Sequence, residues 1–179
     1  MPVSSTRAAE MVKDITEFVG ARPWAYREAP DLVVFGQAAL AAGADPKRVI
    51  DRVFDNVKKA DPNLRDTYLA TGELALDKHD YALAAKTFQE GLKKRPDDPD
   101  LQCGLARAYL GSEPALAQTA LEAALKTNTN HIPSLLLLAD RAIDGEAYDE
   151  AQELLTHVLG INPAHPEAWT YRAGLARLQ

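Results

Sequence analysis

DYALAAKTFQEGLKKRPDDPD, residues 80–100, has a counterpart further along in AYDEAQELLTHVLGINPAHPEAW, residues 147–169. Tyr81 answers to Tyr148, Ala84 to Ala151, Phe88 to Leu155 and Pro96 to Pro163, each pair 67 residues apart. Between the copies lie an amphipathic stretch ending at Tyr109, a turn at Gly111-Ser112-Glu113-Pro114 and a second stretch over 115–126. Ala106, Tyr109, Ala117, Leu121 and Ala124 repeat the same alternation of small and large apolar residues there. Tyr109 to Ala117 is eight residues, whereas Ala75 to Ala84 and Ala142 to Ala151 are nine. The middle copy is therefore one residue short, and the 67 divides into periods of 34 and 33. A fixed period of this size marks stacked supersecondary units that bury their apolar faces against one another.

Each unit reads as a pair of helices. Asp45-Pro46 and Asp98-Pro99 offer a capping carboxylate followed by proline at the first helical position. Lys93, Lys94 and Arg95 fall at a helix C-terminus, where the dipole favours cations. Gly72 with Ala84, Ala106 with Ala117, and Ala139 with Ala151 are expected to face each other where paired helices cross, because a bulky side chain there would hold the axes apart. Ahead of the repeats, Ala8, Met11, Val12, Ile15, Phe18 and Val19 follow one helical face, so a leading helix is predicted, ending near Gly20 and Pro23. Trp24 is expected to cap the N-terminal end of the stack, with a contact patch as the alternative.

The spacing resembles the tetratricopeptide repeat, a helix–turn–helix unit of about 34 residues. The best copy, 65–98, carries Tyr68, Gly72, Ala75, Tyr81, Ala84, Phe88, Gly91 and Pro96. The next, 99–131, has Gln102 at the aromatic position and Thr129 in place of the proline. The third, 132–165, has Leu135, Leu138, Ala139, Ala142, Tyr148, Ala151, Leu155, Val158 and Pro163. A degenerate copy over 31–64 keeps Phe54, Val57 and Pro62 but sets Ile50 where alanine is usual. Residues 166–179 open a further unit with Trp169 and Ala173, a partial repeat or capping helix, and the array is expected to continue past Gln179. The resemblance implies an all-α fold, a right-handed superhelical α-solenoid of antiparallel helix pairs, with residues 1–30 as an N-terminal helix and connector capping it.

Bulk composition narrows the partners. The chain has 179 residues, 46% hydrophobic, with net charge −6 and pI about 5.2, and its cations are scattered apart from Lys93-Lys94-Arg95. A phosphate-tracking surface for nucleic acid is not expected, nor a polybasic membrane patch. The longest aliphatic run, 135–139, is far below the ~20 residues of a membrane span. Cys103 is the only cysteine, so the chain can form no internal disulfide and no cysteine-based zinc site. The N-terminus lacks a signal-peptide core, and the chain is read as cytoplasmic.

Catalytic signals are poor. His79, His131, His157 and His165 show no metal-binding arrangement and read as surface residues. Neither a glycine-rich phosphate loop nor a Gly-x-Ser-x-Gly elbow is present. Asp97, Asp98 and Asp100, like Asp144, Glu146, Asp149 and Glu150, stand where turns and caps want carboxylates. Cys103 reads as a small apolar filler rather than a nucleophile. The chain is thus expected to be no enzyme and to need no cofactor or metal.

By resemblance, function implies a concave groove lined by the first helix of each pair. Carried over copy by copy, its residues are Leu69, Glu73, Leu76 and Asp77; Cys103, Arg107 and Leu110; and Leu136, Asp140, Ile143 and Asp144, with Phe35 and Ala39 from the degenerate copy. That groove is apolar with an acidic border. The clamp that some members use for a C-terminal carboxylate is missing: its positions hold Leu69, Glu73, Gly104, Pro133 and Leu137. The leading reading is a non-enzymatic scaffold that binds a partner peptide or helix with apolar anchors and positive charge. Self-association, and an accessory role beside a catalytic domain beyond Gln179, are the alternatives.

Overall fold

The computed structural model describes residues 28–178 together with Glu10. Apart from Glu10, the leading helix expected over 8–19 lies outside the described residues, as do Trp24 and Gln179. By its contacts the chain divides into two compact units, one through Pro96 and one from Asp97.

In the first unit, α1 (Ala29–Ala41) is followed by a second helix in three segments. These are Pro46–Val49, a π-helical turn at Ile50–Phe54, and Asp55–Ala60, together α2. A regular pair follows, α3 (Arg65–Asp77) and α4 (Tyr81–Leu92). The second unit holds α5 (Pro99–Tyr109) with α6 (Pro114–Thr127), α7 (Ile132–Asp144) with α8 (Tyr148–Ile161), and α9 (Pro166–Leu178). Each unit is built of the expected antiparallel helix pairs.

The start signals work as read. Asp45 accepts from the Arg48 N–H at 3.1 Å, and Asp98 accepts from both Asp100 and Leu101 at 3.1 Å. Asp80 caps α4 by accepting from the Leu83 N–H at 3.0 Å. Stops are equally regular. The Ala44 N–H reaches back to Ala39, Asp80 to Ala75 and Ala147 to Ala142, the six-to-one closure that needs a left-handed residue just before it. Gly43 supplies it at φ 90° without strain; His79 at 58° and Glu146 at 59° supply it at a cost.

The small-residue crossings are buried as expected. Ala84, Ala106, Ala117, Ala139 and Ala151 are each 0% exposed. A Cβ on Gly72 would lie 2.4 Å from the Phe88 ring, so glycine is what lets that ring sit against the α3 backbone. A Cβ on Gly36 would lie at the same 2.4 Å from the Phe54 ring. The second unit uses a different fit, with Ala106 and Leu121 in one buried cluster and Ala139 and Leu155 in another at the equivalent positions.

This matching corrects the reading of the first repeat. Gly36 to Phe54 spans 18 residues where Gly72 to Phe88 spans 16. One extra residue is in the turn, since four residues separate α1 from α2 and three separate α3 from α4. The other is inside α2, where the cap-to-phenylalanine distance grows from eight residues to nine. A single inserted residue is what a π turn accommodates. Counted from its cap, Val49, 1% exposed, takes the place that Ala84 has in α4, and Ile50 is the insertion. Phe35 and Ala39 therefore do not occupy the Leu69 and Glu73 positions; Val33 and Gln37 do.

Candidate functional site

In the tetrad Leu69, Glu73, Leu76 and Asp77 on α3, and again in Leu136, Asp140, Ile143 and Asp144 on α7, the residues match one for one at a spacing of 67. Each tetrad covers two turns of its helix, so it forms a stripe along one side. Leu76 and Leu136 are buried, at 7% and 6% exposure, and serve the core. Leu69 and Ile143 are half-buried, and Asp77 and Asp144 are exposed at the ends of their helices. On α5, Cys103 is 4% exposed within the cluster of Ala106, Ala117 and Leu121. Arg107 is exposed and Leu110 half-buried beside that cluster. The accessible part of the candidate face is thus Leu69, Glu73 and Asp77 in the first unit, and Arg107, Leu110, Asp140, Ile143 and Asp144 in the second.

Asp140 is held in place. The Tyr171 hydroxyl of α9 donates to its carboxylate, and α9 also packs against α7. Burial, then this hydrogen bond and the charges of Asp140, Glu167 and Asp144, push the Tyr171 phenol up to about 12. The folded chain therefore keeps a proton that an unfolded chain releases near pH ~10, and the stability this proton confers falls as pH rises from there to about 12. Urea unfolding at a series of pH values is expected to show a steeper alkaline loss in the parent than in Tyr171→Phe. Parallel curves would refute the assignment.

His131 is the site residue that sequence reading placed wrongly. It is 7% exposed, not a surface histidine, and it ties α5 to α7: Nε2 lies 3.0 Å from Asp100 Oδ1 and Nδ1 lies 2.8 Å from Ser134 Oγ. Every group is satisfied when Nε2–H donates to the carboxylate and the serine hydroxyl donates to Nδ1. Serine, histidine and aspartate in line have the composition of a hydrolytic triad. Here Ser134 is 0% exposed, so a substrate carbonyl has no side from which to approach it. The trio is a buried hydrogen-bond lock between helices. The other histidines have separate local roles. His79 meets the Tyr81 hydroxyl at 3.1 Å, His157 meets Asn130 at 2.9 Å, and His165 accepts from the Ala168 N–H at 3.4 Å. Among the described residues no group of three or more His, Cys, Asp or Glu is placed to hold a metal ion, and no helix is long and apolar enough to cross a membrane.

The helix pairs, their crossings and their length give the chain the tetratricopeptide-repeat fold. Solved structures agree. TTC0263, a tetratricopeptide-repeat protein of Thermus thermophilus, superposes with a TM-score of 0.68 at 17% identity, over 83% of this chain and 81% of that one. YrrB, described as a tetratricopeptide-repeat protein with an unusual peptide-binding site, gives 0.58 at 18% identity over 98% and 84%. Among curated proteins, the NrfG subunit of the formate-dependent nitrite reductase complex of Escherichia coli is 28% identical over 127 residues, 69% of this chain. The chain spans 64% of the length of that relative. No protein-family model matches.

Proposed function

We propose that the chain is a non-catalytic interaction scaffold that binds a partner peptide or helix along the first-helix faces of its repeats. The observation that carries this reading is the recurrence of the same acid pair, Glu73 with Asp77 and Asp140 with Asp144, at matching helix positions in two units. Repeat units diverge freely on exposed positions, and Asp77 and Asp144 are both exposed. A shared ligand chemistry is a reason to keep them. Half-buried Leu69, Leu110 and Ile143 beside them supply apolar contact, so the ligand is a segment with apolar anchors and basic residues. Two comparisons support the reading: NrfG is named as a subunit of a complex, and YrrB as a protein with a peptide-binding site.

The test is a screen of the full chain against a random peptide library, followed by titration of selected peptides. Basic, apolar peptides are expected to bind saturably. Asp77→Lys with Asp144→Lys, both at exposed positions, is expected to weaken them about tenfold or more while leaving the helical signal unchanged. Peptides with no basic preference, or binding indifferent to the two reversals, would overturn the assignment.

A further inference from the structure

A cleft of about 580 Å³ lies in the first unit between α2, α3 and α4, and it shares no lining residue with the first-helix face described above. Two departures from the repeat pattern meet in it. The inserted residue of the π turn, Ile50, forms part of its wall. Its lining also includes Thr67, Thr71 and Thr87, at positions where the second unit has Leu101 and Ser134, Leu105 and Leu138, and Ala120 and Leu154. Hydroxyl-bearing side chains thus border the cleft where the other repeats mostly place apolar ones.

Thr67 is 1% exposed, and its hydroxyl has no hydrogen-bond partner. A buried hydroxyl left unmatched is costly; Thr67 borders the cleft while its hydroxyl is covered, so a small shift of the wall on binding would bring it a partner. The other walls are amphipathic: Leu74 and Leu83 are apolar, while the Lys58–Glu90 ion pair sits by Tyr68, with the ammonium 5.3 Å from the ring centre. Those groups mark the end near Thr67. At the opposite end of α3 stand Lys47 and Lys78, with Lys86 on α4, and none of the three has an ion-pair partner among the described residues. Asp80 is engaged in capping α4, which leaves Asp51 and Asp55 on α2 as the opposing charges.

We propose that this cleft is a second binding site, taking a short extended peptide segment of a partner with an acidic side chain at the Lys47–Lys78 end. The volume is within the ~300–1,000 Å³ of small-ligand sites. From Thr67 to Lys78 the wall of α3 runs about 16 Å at 1.5 Å per residue, the length of roughly five extended residues. Threonine hydroxyls both donate and accept, which suits backbone N–H and C=O groups passing over them. The three lysines select a carboxylate, while Asp51 and Asp55 disfavour a polyanion and accept from peptide N–H groups. The inference does not depend on the first-helix reading.

The test is fluorescence polarisation of the full chain with end-blocked pentapeptide pools carrying one fixed glutamate, against matched pools with glutamine there. The glutamate pool is expected to bind saturably and the glutamine pool about tenfold more weakly. Thr71→Leu with Thr87→Leu installs residues that the other repeats use and should abolish binding in a folded chain. Thr67→Val removes the orphan hydroxyl at constant shape, so its thermal midpoint should hold or rise while affinity falls about fivefold or more. Asp77→Lys with Asp144→Lys should leave this binding intact, which separates failure here from failure on the other face. Equal binding of the two pools, indifference to the leucine pair, or displacement by acetate or inorganic phosphate as readily as by peptide would each overturn the proposal.

Discussion

Phe88→Ala is expected to destabilise the first unit by about 3–5 kcal/mol, the usual cost of emptying a fully buried aromatic site. Phe88 is 0% exposed, and its ring lies against the bare backbone at Gly72, so truncation leaves a hole that neither helix can close without moving its neighbour. The same contact makes Gly72→Ala damaging by about 1–3 kcal/mol, since a Cβ at 2.4 Å from the ring must push it aside. The sharper test is the pair. Gly72→Ala with Phe88→Leu reproduces the fit that Ala106 and Leu121 have in the second unit, so it should recover most of what Gly72→Ala loses. Urea unfolding followed by circular dichroism measures these three and Phe88→Leu alone. A Phe88→Ala loss below ~1 kcal/mol, or a double variant as weak as the sum of its parts, would mean that the crossing is not held by this contact.

Loss of the buried imidazole is the second large effect. His131→Ala removes a side chain that is 7% exposed and strands the Ser134 hydroxyl at 0% exposure, for an expected cost of about 2–3 kcal/mol in the second unit. Deleting both partners should be milder than this implies. In His131→Ala with Ser134→Ala no hydroxyl is left without a partner, so the double variant should be no less stable than His131→Ala alone. Were the double change to cost the full sum, the 2.8 Å contact would contribute nothing, and His131 would act by volume only.

The repeats were legible because their signals are local. A capping aspartate before proline, an alanine four residues ahead of a large apolar residue and a proline stop each act within a few residues, and all recur at fixed offsets. Asp98, Ala84 and Ala151 accordingly stand where they were expected. The degenerate repeat was misread because its two extra residues are split between a turn and a π turn, so a constant offset of 34 matches the end of α2 but neither α1 nor the start of α2. Gly36 and Phe54, a wider echo of Gly72 and Phe88, were the signal that could have set it right. On the candidate face, the family resemblance named a stripe along each first helix but not the depth of each residue. Leu76, Cys103 and Leu136 are turned far enough inward to belong to the core. His131 was missed because its partners are 31 residues behind it and three ahead, a relation that exists only once α5 and α7 are adjacent. The cleft was invisible for a similar reason, since its threonines are unremarkable singly and gain meaning only beside the leucines at their equivalent positions.

The two ways of filling a helix crossing also bear on how the chain sorts its own segments. Repeats that look alike invite the wrong partners to meet while the polypeptide is still collapsing. Here the first unit pairs a bare backbone with a ring, and the second pairs a methyl group with an isobutyl group. Offered α6 instead of α4, α3 would meet Leu121 and keep a gap; offered α4, α5 would set Phe88 against the methyl group of Ala106. Each mismatch carries a penalty that the proper match avoids, so the crossings work as addresses that sort the helices of one unit from those of the other.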